Sequence, residues 1–200
     1  MLFPIISGFL LGGSLIVAIG AQNAFVIRQG IVGHHVFWIC LFCAICDAAL
    51  IIAGVAGLGA LIKTMPWFLS LITYGGAAFL GWHGVKAVMR VMRPAALSAA
   101  DEVPLSLQQS LLACAGFTLL NPHVYLDTVL LVGSIANARA PGEQWPFAMG
   151  AAFASFVWFF AIGFGARAAR QWLGRPTVWR MIDGFIAVIM FALAAKLLLG

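Results

Sequence analysis

Apolar runs of spanning length follow one another along this chain, and they constrain its fold more than any motif does. They cover roughly Ile5–Ile27, Val36–Ile62, Trp67–Met89, Leu105–Ala136, Trp145–Ala166 and Val178–Leu199. About 20 mostly apolar residues in a helix cross a hydrocarbon core of about 30 Å. Lipid offers the backbone no hydrogen bonds, so a spanning segment must satisfy its own N–H and C=O groups, as a helix does and an open sheet does not. Only 8% of the residues are charged, against about 25% in a soluble domain. The expected fold is an all-α, polytopic membrane protein of six transmembrane helices in one domain over residues 1–200.

The opening MLFPII is uncharged and its run is long, which reads as a mature helix rather than a secretory leader. The net charge of +5 does not point to nucleic acid, because the basic residues flank hydrophobic runs and form no dense patch. They do give an orientation. Arg28, then Lys86, Arg90 and Arg93, then Arg167, Arg170, Arg175 and Arg180 lie after the odd-numbered runs; only Lys63, Arg139 and Lys196 lie on the other side. The positive-inside rule then puts the first set in the cytoplasm and both termini outside. Cys40, Cys43 and Cys46 read as CxxCxxC but lack the fourth ligand of an iron–sulfur run. Inside an apolar helix they read as packing residues.

The chain also reads as two inverted copies of three helices, about 1–93 and 105–200, joined by a polar loop of about 94–104 that carries Asp101 and Glu102. Gln22-Asn23 interrupts the first run and Asn121-Pro122 the fourth. Asp47 matches Ser155, Gly57 matches Gly165, Gly75-Gly76 matches Gly184, and Lys86 matches Lys196. An odd number of helices per copy turns the second copy upside down. Interrupted helices at matching positions of inverted repeats mark a transporter, with the site at the repeat interface.

Few residues inside these runs carry chemistry. Asp47 sits among small and apolar neighbours, and a carboxylate at mid-membrane costs about 2.5–3.5 kcal/mol on insertion scales. It must therefore face the interior, either protonated or paired with a cation. In NPHVYLDT, His123 and Asp127 are four apart and share a helix face on which a proton could pass; Asn121 and Tyr125 share a neighbouring face. Pro122 removes a backbone donor and disfavours helical geometry at Asn121, so backbone groups there are free for a ligand. Candidate substrate-binding residues are thus Gln22, Asn23, Asp47, Asn121, Tyr125 and Asp127, with Asp47, His123 and Asp127 as candidates for proton coupling. Asp183 reads as an interfacial ion pair with Arg180, His34 and His35 as solvated, and Gly8 and Gly12 as a GxxxG packing face. A serine-nucleophile elbow, a phosphate loop and a His-rich metal cluster are all missing from the sequence, which weighs against an enzyme and against a metal or cofactor.

GAQNAFVIRQG (Gly20–Gly30) and LLNPHVYLDTVLLVGSIA, with CDAALIIAGVAGLG and ASFVWFFAIGFGAR, resemble the lysine/arginine exporter family of the LysE superfamily over nearly the whole chain. Gln22-Asn23 stands where relatives that move other cargo carry Pro-Gly-Pro. The resemblance implies export of L-arginine or L-lysine across the bacterial inner membrane, driven by protons. It leaves open a homodimer and which of the two amino acids is preferred. The alternatives are an exporter of neutral amino acids or another small metabolite, and a non-transporting membrane assembly subunit.

Overall fold

The computed structural model describes residues 2–17, 20–59, 62, 64–92, 105–173 and 176–199. Lys63, Arg93, the loop 94–104 with Asp101 and Glu102, and Arg175 lie outside the described residues. Every regular element among the described residues is a helix. We number them α1 Leu2–Ile16, α2 Ala21–Val32, α3 Val36–Leu58, α4 Pro66–Val91, α5 Leu107–Leu119, α6 Pro122–Asn137, α7 Gln144–Ala168 and α8 Pro176–Leu199, with a short turn at Arg170–Leu173.

The first and fourth apolar runs are each two helices. α1 and α2 run at 83° to each other, and α5 and α6 at 64°. Among the described residues three helices are long and apolar enough to cross a membrane (α3, α7 and Arg180–Leu199 of α8), or five if each bent pair is one span. α4 has the length, but Ser70, Thr73, Tyr74, His83 and Lys86 dilute its apolar run, and it falls outside that set. It lies instead along α8.

The bend also moves the end of the first segment. Arg28 and Gln29, expected just past a spanning helix, lie inside α2, with Gln29 buried and Arg28 half-buried. α2 stops only at Gly33, whose left-handed backbone (φ 84) carries its N–H onto the Gln29 carbonyl at 2.8 Å. Such an αL glycine closes a helix without the Cβ clash that other residues suffer.

α7 is central, touching α1, α2 and α3. Gly8 and Gly12 let α1 approach it closely, as the GxxxG spacing implies: a Cβ on Gly12 would meet Ala151 Cα at 2.9 Å, and one on Gly8 would run into the Phe147 carbonyl. Cys40, Cys43 and Cys114 are buried in the apolar core with Phe25, Phe117 and Phe159. The exterior carries Leu2, Phe3, Trp38, Trp67, Leu71 and Val188 among many exposed apolar side chains. A surface of this kind fits lipid rather than water.

α3 and α6 cross tightly. α6 contains a stretch of wide π-helix over Tyr125–Val132, and α3 is kinked over Gly54–Leu58, where Gly57 turns left-handed (φ 98). Gly54 and Gly133 meet at the crossing, where a Cβ on Gly133 would lie 2.7 Å from Gly54 and one on Gly54 2.5 Å from the Val129 carbonyl. Only glycine fits on either side. π-Helical insertions occur often beside functional sites; the stretch in α6 itself carries Asp127.

Candidate functional site

Both breaks open on one cavity of about 340 Å³. At the first break its wall is Ile16, Gly20, Ala21, Gln22 and Asn23; at the second it is Leu120, Asn121 and His123. Asp47 from α3, Ser155 from α7, Asp127 and Thr128 from α6 and Lys196 from α8 complete the polar lining. Phe79, Leu80 and Phe117 line the apolar part. A volume near the lower end of roughly 300–1,000 Å³, mostly apolar with a few convergent polar groups, is what a small-molecule site requires.

Asp47 is 6% exposed, and its Oδ2 accepts a 3.1 Å hydrogen bond from Ser155 Oγ. Among the described residues no basic side chain pairs with it. A neutral hydroxyl half-satisfies the carboxylate and leaves acceptor capacity toward the cavity. Ser155 is the residue that the sequence pattern matched to Asp47, and the two side chains meet.

The first break is built from Gly20 and Asn23. Gly20 is the extended N-cap of α2 (φ −113, ψ 173), and no side chain caps the helix there. The first amides of a helix have no partner within it, and they carry the positive end of its dipole. Asn23 is fully engaged by the scaffold: Nδ2 donates to the Ile16 carbonyl at 2.9 Å, and Oδ1 accepts from Trp158 Nε1 at 3.3 Å. Gln22 is 8% exposed, and its Nε2 has no hydrogen-bond partner among the described residues.

At the second break Asn121 caps its own helix, its Oδ1 accepting from the His123 amide at 3.1 Å. Tyr125 is not part of the cavity wall. Its hydroxyl donates to the Leu119 carbonyl at 2.9 Å, and its ring packs with Phe68, Ile62 and Ile72. The four-residue spacing from Asn121 placed it on the cavity side, but Asn121 is the extended N-cap (φ −105, ψ 107) and the helix begins only at Pro122, so helical spacing does not relate the two residues. Five of the six candidate binding residues (Gln22, Asn23, Asp47, Asn121, Asp127) and the candidate proton carrier His123 therefore converge, and Tyr125 supports the wall from behind. Sequence reading left out Ser155, Thr128 and Lys196. Ser155 and Lys196 had a signal, since each was already one half of a matched pair between the repeats.

Asp183 does not depend on its helix neighbour Arg180. Arg90 Nε lies 2.9 Å and Arg28 Nε 3.4 Å from its Oδ1, so the ion pairs come from two other helices.

Broken helices that bring polar side chains and helix ends to a shared, half-apolar cavity within an apolar bundle define a membrane translocator. The chain belongs to the LysE type translocator family, whose model matches residues 13–200. It is 42% identical over 196 residues to "Putative amino-acid transporter YggA" of Aeromonas salmonicida, covering 98% of this chain and 95% of that protein. It is 43% identical over 185 residues to "Putative amino-acid transporter Rv0488" of Mycobacterium tuberculosis, covering 92% of each. No solved structure matches the chain.

Proposed function

We propose that the protein exports a basic L-amino acid, arginine or lysine, through the bacterial inner membrane in exchange for protons, with residues 1–93 and 105–200 as inverted repeats and both termini outside. The observation that carries this reading is Asp47: a buried carboxylate in the cavity wall, bonded to Ser155 and, among the described residues, to no cation. A buried carboxylate is costly unless a positive partner or a proton neutralises it. A guanidinium or ammonium is such a partner when cargo is bound, and a proton replaces it when cargo leaves.

A basic amino acid carries three charges, and the cavity has a counterpart for each. The uncapped amides of α2 and the ammonium of Lys196 suit the α-carboxylate. Asp47 and Asp127 suit the two cationic groups, with a planar fork for a guanidinium. His123, in the same wall as Asp127, offers a second protonatable group. The names of the relatives, amino-acid transporters both, support the cargo class, and Gln22-Asn23 at the first break supports the basic branch.

The test is efflux of labelled arginine from proteoliposomes under an imposed proton gradient. Asp47→Asn keeps the shape and the bond to Ser155 but removes the charge, and it should lower export by at least about a hundredfold, the scale of losing a buried charge pair. Export at the parent rate would sink the reading. Competition by lysine, but not by threonine or leucine, separates basic from neutral cargo.

A further inference from the structure

Hydroxyls on a helix ordinarily bond a carbonyl one turn back. Those of Ser7, Ser14 and Thr128 do so, donating to the carbonyls of Pro4, Leu11 and Val124. Ser155 does not. Its hydroxyl crosses from α7 to α3 and donates to Asp47 Oδ2 at 3.1 Å, 108 residues away in the chain. Both side chains are buried, at 4% and 6% exposure, in the wall of the cavity. The carbonyl of Ala151, one turn before Ser155 on α7, keeps a second lone pair for the ordinary bond.

Few titratable groups surround Asp47. Its own helix gives Cys43 and Cys46, with Cys114 of α5 beside Cys43. Across the cavity stand His123 and Asp127 of α6 and Lys196 of α8. α1 and α4 bring no charged side chain to the cavity, and α2 brings the neutral Gln22 and Asn23. Among the described residues the one hydrogen bond to this carboxylate comes from Ser155. A cation in that place would hold Asp47 ionised throughout, and an apolar residue would leave the ionised form without a donor. A hydroxyl has one donor and two lone pairs, and it turns without moving a heavy atom.

We propose that Ser155 is a positioning residue for proton exchange: its hydroxyl donates to Asp47 when the carboxylate is ionised and accepts from it when it carries a proton. This rests on reading Asp47 as the group that trades cargo for a proton. With cargo bound, the Ser155 O–H points at Asp47, as in the structure. When cargo leaves, Asp47 takes a proton from hydronium in the water that refills the cavity. Its new O–H donates to Ser155 Oγ, and the Ser155 O–H turns to the Ala151 carbonyl. No buried polar group is orphaned in either state, which spares the cost of an unpaired donor or acceptor. The bond to the ionised form is charge-assisted and the stronger of the two, so the proton stays exchangeable instead of being locked in by burial.

The test is infrared difference spectroscopy of the full chain in lipid vesicles as pH is varied. Subtracting the spectrum of Asp47→Asn leaves the carboxylic C=O stretch of protonated Asp47. Ser155→Ala should change the frequency of that band and move the pH at which it appears upward by about one unit, tenfold in proton affinity. Ser155→Thr, which keeps the hydroxyl, should restore both and covers the case in which alanine disturbs the contact of α3 with α7. A side chain that only filled space there would change stability and leave the band where it was. A band in Ser155→Ala that overlays the parent's in frequency and titration would overturn the proposal, and so would the lack of any Asp47 band in the parent. These readouts need no cargo. Arginine added afterwards should abolish the parent's band by taking the place of the proton; a band that arginine leaves untouched counts against the cargo reading alone, and the result for Ser155 stands.

Discussion

The two helix breaks solve one problem in two ways. At each, the first half-helix ends with carbonyls that have no helical partner. A side chain from the second half-helix reaches back to supply one donor: Asn23 to the Ile16 carbonyl, and Tyr125 to that of Leu119. The N-termini of the second halves differ. Asn121 caps α6 with its own side chain, while Gly20 leaves α2 uncapped. One break is closed upon itself, and the other keeps its amides available to something else. On the proposed function the difference gives them separate tasks: the Asn121-Pro122 break shapes the wall, and the Gly20 break receives the anionic group of the cargo.

The comparison is most easily broken at Asn23. Asn23→Ala orphans the Ile16 carbonyl and the Trp158 indole N–H together, and each buried unsatisfied group costs about 1–3 kcal/mol. A loss of about 2–5 kcal/mol in thermal unfolding followed by tryptophan fluorescence in detergent is expected. A variant as stable as the parent would mean that the clamp does not hold the first break. Tyr125→Phe removes one donor and keeps the ring, so about 1–2 kcal/mol should be lost. Its KM for cargo should not change, because the hydroxyl is outside the cavity. A large rise in KM would put Tyr125 back on the cargo.

Asn121→Ala comes next in size. It removes an N-cap, which is worth about 1 kcal/mol, and leaves Pro122 to start the helix, as proline at the first helical position does well. If this variant were as damaging as Asn23→Ala, the two breaks would be mechanically equivalent and the contrast would fail.

How far the sequence foretold this arrangement follows from what each residue does. The all-helical fold and the second break were legible, because long apolar runs and polar interruptions act locally; the first break falls earlier than Gln22-Asn23, which lie in the first turn of α2. Asp47, Asp127 and Gln22 were legible as cavity residues, since a polar group inside such a run has few other places to go. Tyr125 was misplaced because Asn121 is an extended cap rather than a helical residue, and side-chain spacing assumes a regular helix through both positions. The two arginines on Asp183 were illegible. Arg28 is 155 residues away from it and Arg90 is 93 away, and nothing in the local pattern of α8 reports which distant helices arrive there. The extent of α2 was missed for a related reason: a segment read as ending at a membrane surface instead turns by 83° and continues.

The smallest change in stability sharpens the comparison most. Gly20→Asn would give the first break the kind of cap that Asn121 gives the second. The backbone at Gly20 has negative φ and extended ψ, a conformation that any residue adopts and the usual one for an N-cap. Replacing glycine by asparagine at such a position stabilises a helix by only about a few tenths of a kcal/mol, so the unfolding temperature should barely move. Cargo affinity should fall nonetheless, by about tenfold, if the new side chain takes the amides that a carboxylate would otherwise occupy. The same measurement with agmatine, which is arginine without its α-carboxylate, should show little further loss from Gly20→Asn. An equal drop for both compounds would place the carboxylate elsewhere, with Lys196 as the group left to receive it, and would return the first break to a purely structural role.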